Sequence, residues 1–474
     1  MQVRPAVVGV VAILTATLAS APVLAQQPAR PVSADEVTFT KHIAPILQRS
    51  CQTCHRPDSL APMSLLTYDE VRPYARAIKQ RTGLRHRQGV MPPWFIDKSI
   101  GIQQFKDDIS LKEEEIQLIA RWADSGAPRG NPADMPPPRT FADAAEWQIG
   151  TPDLIVSTPS VAMKTLNPDW WGALAAVPTG LAEDRYISAI EIKEVNDSRN
   201  KVGRATVGGL FVFHHALMSV ITADGRPDGL GGWPVHEVGR NADVFDADAG
   251  RLLRAGSNVA FPSVHLHANG KDTEAHLQVG FKFHPKGYQP KVQARTLPIG
   301  TGEIDIPGLA SGVTIEAFHT LQQPIKLTVY EPHMHAAGVR MCLEAIFGSM
   351  TETLNCSGYD HSWVRTYQYA DDSAPLLPRG TILRVTGYFD NTPANRNVVD
   401  PRNWSGLGHR SIDNMVIMIS QAIFLTDEQF EHEVARRRER LKLTEGQSSP
   451  GCPLCAFSKL PSRGRVPAPV APQQ

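Results

Sequence analysis

The sequence predicts a multidomain protein: an all-α N-terminal domain followed by two antiparallel β-sandwich domains. Its 474 residues exceed one compact domain, because domains usually hold about 100–200 residues. Residues 36–130 carry apolar side chains at helical spacing. From residue 148 onward, short strand-like runs alternate with Gly, Pro, Asn and Asp, a pattern typical of sandwiches.

The first 25 residues are expected to be a secretory signal peptide, with Arg4 as its positive start and residues 7–18 as its apolar stretch. A membrane anchor is the alternative, but this stretch is shorter than the ~20 residues of a spanning helix. No other segment is long and apolar enough to span. We therefore expect an exported protein, periplasmic or secreted, without a stable membrane span.

The remaining boundaries follow from composition. Residues 131–147 form a Pro-rich linker, and residues 148–290 and 291–430 are assigned to the two sandwiches. Residues 431–474 are expected to form a short charged helix and a Pro/Ser-rich disordered tail. Equal numbers of Lys+Arg and Asp+Glu, 48 each, argue against a nucleic-acid partner, which requires a basic surface.

Four of the six cysteines are expected to form disulfides, which export permits. Cys342 and Cys356 flank a predicted β-hairpin. Cys452 and Cys455 form a C-x-x-C pair without a following His, so a local disulfide is expected, with a redox or copper-loading role as the alternative.

The other two cysteines belong to the motif Cys51-Gln-Thr-Cys54-His55, the C-x-x-C-H pattern of covalent haem attachment. Two thiols one helical turn apart can each form a thioether to a haem vinyl group, and His55 then faces the iron. A zinc knuckle is the alternative, but it requires a second ligand pair, and none lies nearby in the sequence. Residues 36–130 resemble a class I cytochrome c domain, which implies one haem c.

The second axial ligand of this haem is expected to be Met91, which is followed by two prolines in a stiff loop. Met63 is the competitor, but it follows His55 by only eight residues, which is tight for reaching the opposite haem face. His/Met ligation leaves no open position on the iron and suits electron transfer.

Histidines of the β region form two groups with metal-ligand spacing. The first contains the adjacent His214 and His215, with His265 as the expected third ligand and His267 as the alternative. Neighbouring residues on a strand point to opposite faces, so the adjacent pair requires a twisted or bulged strand. The second group is the H-x-H pair His333 and His335, whose side chains share one face of a strand. Isolated histidines are expected to be structural or exposed: His276, His284, His319 and His361.

The order of these motifs resembles the copper type II, ascorbate-dependent monooxygenases, which include peptidylglycine α-hydroxylating and dopamine β-monooxygenases. The resemblance covers about residues 148–427. It implies two jelly-roll sandwiches that hold two copper ions, one on the adjacent pair plus a later His, the other on H-x-H plus a Met. His333, His335 and Met415 then bind the catalytic copper, with Met415 in the segment Ser-Ile-Asp-Asn-Met.

The resemblance implies an O2-dependent monooxygenase of a small-molecule C–H bond. Electrons come through the cytochrome domain, which an external donor reduces, or from ascorbate. The sequence departs from the peptide enzyme at Glu331, where that enzyme has an Arg, and at Ile417 and Ile419, where it has Asn and Tyr. A peptide substrate is therefore disfavoured, and a neutral, apolar or cationic molecule is favoured.

Two alternative functions remain open at this stage. One is a non-catalytic periplasmic electron-transfer or copper-binding protein. The other is a zinc or iron cupin that uses His265, His267 and His333, although the sequence lacks the spaced Glu and His of that motif.

Overall fold

A computed structural model describes residues 37–57, 59, 61–141, 146–198, 210–229, 232–240, 242–410 and 412–458. The predicted signal peptide and residues 459–474 of the predicted tail lie outside these described residues. The described residues all belong to one compact unit. None of the helices within these ranges is long and apolar enough to cross a membrane.

Short helices occupy the N-terminal part of the described chain. The α-helices are Ala44–Ser50 (α1), Tyr68–Val71 (α2), Ala75–Thr82 (α3) and Glu113–Asp124 (α4). Single turns of π- or 3₁₀-helix lie at Phe39–Ile43, Arg72–Tyr74 and Pro132–Asp134. The helices enclose a small apolar cluster around Leu47, Ile119 and Trp122. Three Glu residues in the first turn of α4 complement its helix dipole.

The rest of the described chain is mainly strands. In chain order they are Leu154–Ser157 (β1), Val161–Met163 (β2), Trp170–Pro178 (β3), Arg185–Asn196 (β4), Phe213–Ile221 (β5), Val235–Glu237 (β6), Asp243–Val244 (β7), Ala249–Leu253 (β8), Asn258–Leu266 (β9), Thr273–Phe283 (β10), Val292–Gly300 (β11), Ser311–Thr320 (β12), Ile325–Tyr330 (β13), Pro332–Met334 (β14), Gly338–Phe347 (β15), Met350–Gly358 (β16), Tyr367–Gln368 (β17), Leu376–Leu377 (β18), Ile382–Asp390 (β19) and Val416–Phe424 (β20).

Two four-stranded sheets face one large sheet across two apolar cores. The small sheets have the orders β3-β9-β5-β6 and β12-β19-β15-β16. The large sheet follows the path β1-β10-β4-β8-β11-β20-β13-β17, with β2, β7, β14 and β18 paired beside it. The first core lies between β4/β10 and β5/β9, and the second between β11/β13/β20 and β12/β15/β19.

Alternating side chains explain why the strands form these layers. In β10, Leu277, Val279 and Phe281 are fully buried in the first core. Gln278 and Lys282, which point to the other face, are polar and less buried. Such a period of two places one face of a strand against the core.

The predicted fold class is wrong, because the N-terminal helices do not form a separate all-α cytochrome c domain. The structure is 36% strand and only 15% helix. Between α3 and α4 the chain leaves the helical cluster, and Trp94, Ile96, Ile102 and Phe105 enter the second β core. Helical periodicity shows which residues are apolar, but it does not show which part of the chain they pack against.

The prediction of two antiparallel sandwiches also differs from the observed sheets. The large sheet borders both cores. Its part at the first core is joined to its part at the second core by a parallel pair of strands, β8 and β11, with Val292 opposite Ala249. The sequence pattern contains no signal for this pairing, because a strand's partner depends on long-range packing.

Both predicted disulfides are confirmed. Cys342 and Cys356 lie directly opposite each other on β15 and β16 and form a disulfide. Cys452 and Cys455 form the local disulfide, and both are fully buried against the C-terminal helix Asp427–Leu441 (α5). The ordered part of the tail extends beyond residues 452–455, which alone were expected to escape disorder: Ser449 and Gly451 are buried, and Phe457 packs against the same cluster.

Candidate metal centre

The first histidine group is assembled by β5 and β9. His215 pairs with His265 across these strands, and the pairing shifts register between Phe213 and His215. A register shift of this kind lets adjacent side chains turn to the same side of a strand. The ligand atoms of His214, His215 and His265 all lie within 4.8 Å of one another. The Nδ1 atoms of the adjacent pair are 3.3 Å apart, so both rings face one point.

Neighbouring side chains orient His265. Its Nε2 lies 3.0 Å from the Asp169 carboxylate, and its ring stacks on Trp171 with centroids 4.6 Å apart. A carboxylate on one ring nitrogen holds the orientation of a metal-binding imidazole. His267 is not among the residues whose ligand atoms converge, and its ring centroid lies 6.3 Å from that of His265. The geometry therefore favours His265 over His267.

The second histidine group lies at the end of β14. The His333 Nδ1 is 2.8 Å from the Glu237 carboxylate, which leaves its Nε2 for a metal. The Nδ1 of His335 is buried and makes no hydrogen bond within the described residues. β14 pairs with β20, with His333 opposite Ile417 and Met334 opposite Val416, and this pairing ends one residue before His335 and one residue after Met415. The structure thus positions the H-x-H pair, and Met415 as a ligand stays a prediction.

The two groups contact each other. The rings of His215 and His335 are stacked with centroids 6.3 Å apart. His361 lies between the groups, 4.8 Å from His214 and 5.7 Å from His335. We call the whole set the histidine cluster: His214, His215, His265, His267, His333, His335 and His361. Sequence reasoning missed His361, because it is a single histidine without periodic or paired neighbours.

Most rings of the cluster are held neutral. Burial lowers the pKa of His215 and of His335 to about 2, and that of His214 well below its usual value, with positive neighbouring imidazoles adding to the effect. Neutral imidazole is the form that binds metal. His333 differs: burial alone would lower its pKa, but the Glu237 carboxylate raises it above the usual value.

Glu331, at the position where the peptide monooxygenase has an Arg, is fully buried and paired. Its carboxylate lies 2.9 Å from the guanidinium of Arg240, which also contacts Asp243 at 2.7 Å. One guanidinium thus serves two carboxylates, and burial raises the pKa of Glu331 to about 7 although Arg240 opposes this rise.

The C-x-x-C-H motif forms a tight turn after α1. The amides of Cys54 and His55 both donate to the Cys51 carbonyl, and both thiols are free. His55 Nδ1 lies 3.2 Å from the Met63 carbonyl oxygen, so its Nε2 is left for iron. Burial raises the pKa of the Cys51 thiol to about 12, which opposes the thiolate that zinc requires. These residues fit a covalent haem.

The position of Met63 bears on the second axial ligand. A ring that binds iron through Nε2 points its Nδ1 away from the iron, so the Met63 backbone lies on the side of His55 remote from the iron. This position disfavours Met63 as the opposite ligand. Met91 follows α3 and is 40% exposed. Met91 as axial ligand stays a prediction.

A short segment connects the haem motif with the histidine cluster. The charge of Arg365 acts on the Cys54 thiol, and its guanidinium lies 5.5 Å from the ring centroid of Trp94. The Arg365 Nε is buried without a hydrogen-bond partner in the described structure. Four residues along the chain separate Arg365 from His361, so their Cα atoms are at most about 14 Å apart.

Comparisons with known proteins add little. No protein-family model matches the sequence, and no curated protein matches it. The major capsid protein P2 of Bacteriophage PM2 is 10% identical with a TM-score of 0.27, covering 58% of this chain and 100% of that chain. The CBM22-1–CBM22-2 tandem of Paenibacillus barcinonensis Xyn10C is 10% identical with a TM-score of 0.16, covering 60% and 100%. Similarities at this level carry no argument about function.

Proposed function

We propose that this protein is an exported haem- and copper-containing oxidoreductase, an O2-dependent monooxygenase of a small-molecule C–H bond. One observation carries the proposal. Two ligand groups, chosen from motif order alone, lie on strands of different β cores and meet in one buried cluster of mostly neutral imidazoles.

The donor set suits copper. Imidazole binds both Cu(I) and Cu(II), and the thioether of Met415, the residue directly before β20, favours Cu(I). Bound copper supplies O2 activation: one oxygen atom enters the C–H bond and the other becomes water, with two electrons and two protons consumed.

The protein contributes orientation and exclusion of water. Asp169 and Glu237 each occupy one ring nitrogen of a ligand histidine and thereby select the nitrogen that faces the metal. His215, His265 and His335 are at most 5% exposed, so the surrounding protein shields the site from bulk water.

A haem held by Cys51, Cys54 and His55 would supply these electrons one at a time after its reduction by an external donor. Two observations support this role: the Nδ1 contact of His55, which orients the ring for iron, and the unpartnered Nε of Arg365. A buried guanidinium beside Cys54 suits an anionic group such as a haem carboxylate. The 361–365 segment keeps the haem motif close to the histidine cluster.

An exposed aromatic surface lies beside the first histidine group. Trp170 and Trp171 are 40% and 38% exposed, and Trp171 stacks on His265. Glu331 is fully buried and paired with Arg240, so its carboxylate is not available to a cationic substrate. We propose a neutral, apolar or aromatic small molecule.

The test combines metal analysis with stopped-flow spectroscopy of the full chain. We expect one haem and two copper ions per chain, and reduced haem should be oxidised when it is mixed with oxidised copper protein. A haem-free Cys51→Ala/Cys54→Ala variant is the control and should bind copper normally. A haem that stays reduced while ascorbate reduces copper refutes the haem route. A chain that takes up no copper refutes the whole proposal.

One observation favours a second candidate, a non-catalytic electron-transfer or copper-binding protein. The ring centroids of His215 and His335 are 6.3 Å apart, and His361 lies between the two groups at 4.8 and 5.7 Å, so imidazoles occupy the space between the groups. Rapid haem-to-copper electron transfer without O2 consumption across a panel of apolar substrates would support this candidate.

A further inference from the structure

His361 lies in the centre of the histidine cluster but does not belong to either predicted ligand set. It is near one member of each group, His214 at 4.8 Å and His335 at 5.7 Å between ring centroids. The position alone distinguishes it from a surface histidine.

Neither ring nitrogen of His361 is satisfied by the protein. Both are buried, and neither makes a hydrogen bond of normal geometry in the described part of the chain. A buried polar atom without a partner is destabilising, so such atoms in native proteins usually bind a water or an ion. The neighbouring His335 has an unsatisfied Nδ1 as well.

The surroundings of His361 offer a place for a metal ion. A neutral imidazole carries one lone pair, and neither ring nitrogen of His361 has a protein partner of normal geometry to accept or donate a hydrogen bond. The closest rings are themselves candidate metal ligands.

We infer that His361 is a further metal ligand of the cluster, placed where the two ligand groups meet. The inference rests on the proposed copper function and adds to it: the motif resemblance supplies three ligands to each ion, and the fold adds one imidazole from outside both motifs. A loop between β16 and β17, rather than a strand of either group, thus completes the centre.

The test compares full-length His361→Ala and His361→Phe with the wild type. Both substitutions remove the donor, and Phe retains an aromatic ring. We expect one of the two copper ions to bind at least about tenfold more weakly, since even residues that only orient ligands contribute 10–100-fold. The Cu(II) electron paramagnetic resonance spectrum should lose one nitrogen coupling.

Two controls separate ligation from folding. His319→Ala removes an imidazole of β12, outside the cluster, and should leave copper affinity and spectrum unchanged. Added imidazole should restore the nitrogen coupling in His361→Ala, because it can fill the space of the missing ring. It should not do so in His361→Phe, where the Phe ring occupies that space.

The outcomes distinguish this inference from the proposed function. If wild-type protein binds no copper, both fail. If wild-type protein binds two copper ions and both His361 variants keep its affinity and spectrum, only the role of His361 is refuted.

Discussion

The two halves of the histidine cluster are organised in different ways. In the first half, β5 and β9 of one sheet place His214, His215 and His265 so that their ligand atoms already converge. In the second half, His333 on β14 is held by the Glu237 carboxylate of β6, a strand of another sheet.

Main-chain register brings the ligand atoms of the first half together, and the Asp169 carboxylate holds the His265 ring. The second half depends on Glu237, which reaches His333 from another sheet at the junction of the two cores. That junction also buries the ion pairs of Arg240 with Asp243 and Glu331. The first half should therefore tolerate changes at the junction that the second half does not.

The largest effect is expected from removing a ligand of the register-built half. His215→Ala should weaken the binding of one copper ion by about 100-fold or more, because a ligand contributes more to metal affinity than the residue that orients it. Competition with a chromophoric chelator measures the two affinities. Equal retention of both ions would contradict the assignment of this half.

The next largest effect tests the junction. Glu237→Gln retains the size of the side chain but removes the charge that orients His333. It should weaken copper binding at the second half by about 10–100-fold. The first half should be unchanged. Equal weakening of both ions would show that the halves are not organised independently.

A smaller and redox-specific effect is expected at Met415. Met415→Leu should lower Cu(I) affinity by about tenfold, or ~1.4 kcal/mol, and leave Cu(II) affinity almost unchanged, because the thioether prefers Cu(I). Separate titrations with Cu(I) and Cu(II) competitors measure this. Equal losses for both oxidation states would remove Met415 from the ligand set.

The smallest effect is expected from Asp169→Asn, the counterpart of Glu237→Gln in the first half. Asp169 is 45% exposed, so water screens its contact with His265 and partly replaces it. Copper binding at the first half should weaken by only a few fold, at the low end of the range for ligand-orienting residues. A loss as large as that of Glu237→Gln would erase the contrast between the halves.

Sequence reasoning selected the histidines of both groups but not their surroundings. The adjacent pair and the H-x-H pair are local patterns, so His214, His215, His333 and His335 could be selected without a structure. Asp169, Glu237 and His361 carry no local pattern. Each reaches the cluster from a separate part of the chain, so their contacts follow from long-range packing.

The same limit applied to the fold. Helical periodicity correctly indicated α4, and alternation indicated strands such as β13 and β19. The expected all-α domain failed because Trp94 and Phe105 pack with Tyr367 of β17, at 5.1 and 5.9 Å between ring centroids. A pattern of apolar residues shows that one face of an element is buried, but it does not show which other element that face packs against.

By itself, the sequence determined the local chemistry: a C-x-x-C-H turn, two histidine motifs and cysteine pairs close enough to join. These features depend on spacing along the chain, which is fixed by covalent geometry. Only the tertiary structure decided that the two histidine groups meet, that His361 lies between them and that the haem motif connects to them through residues 361–365. Those relations depend on how distant segments pack, and the hydrophobic effect that drives this packing is non-directional.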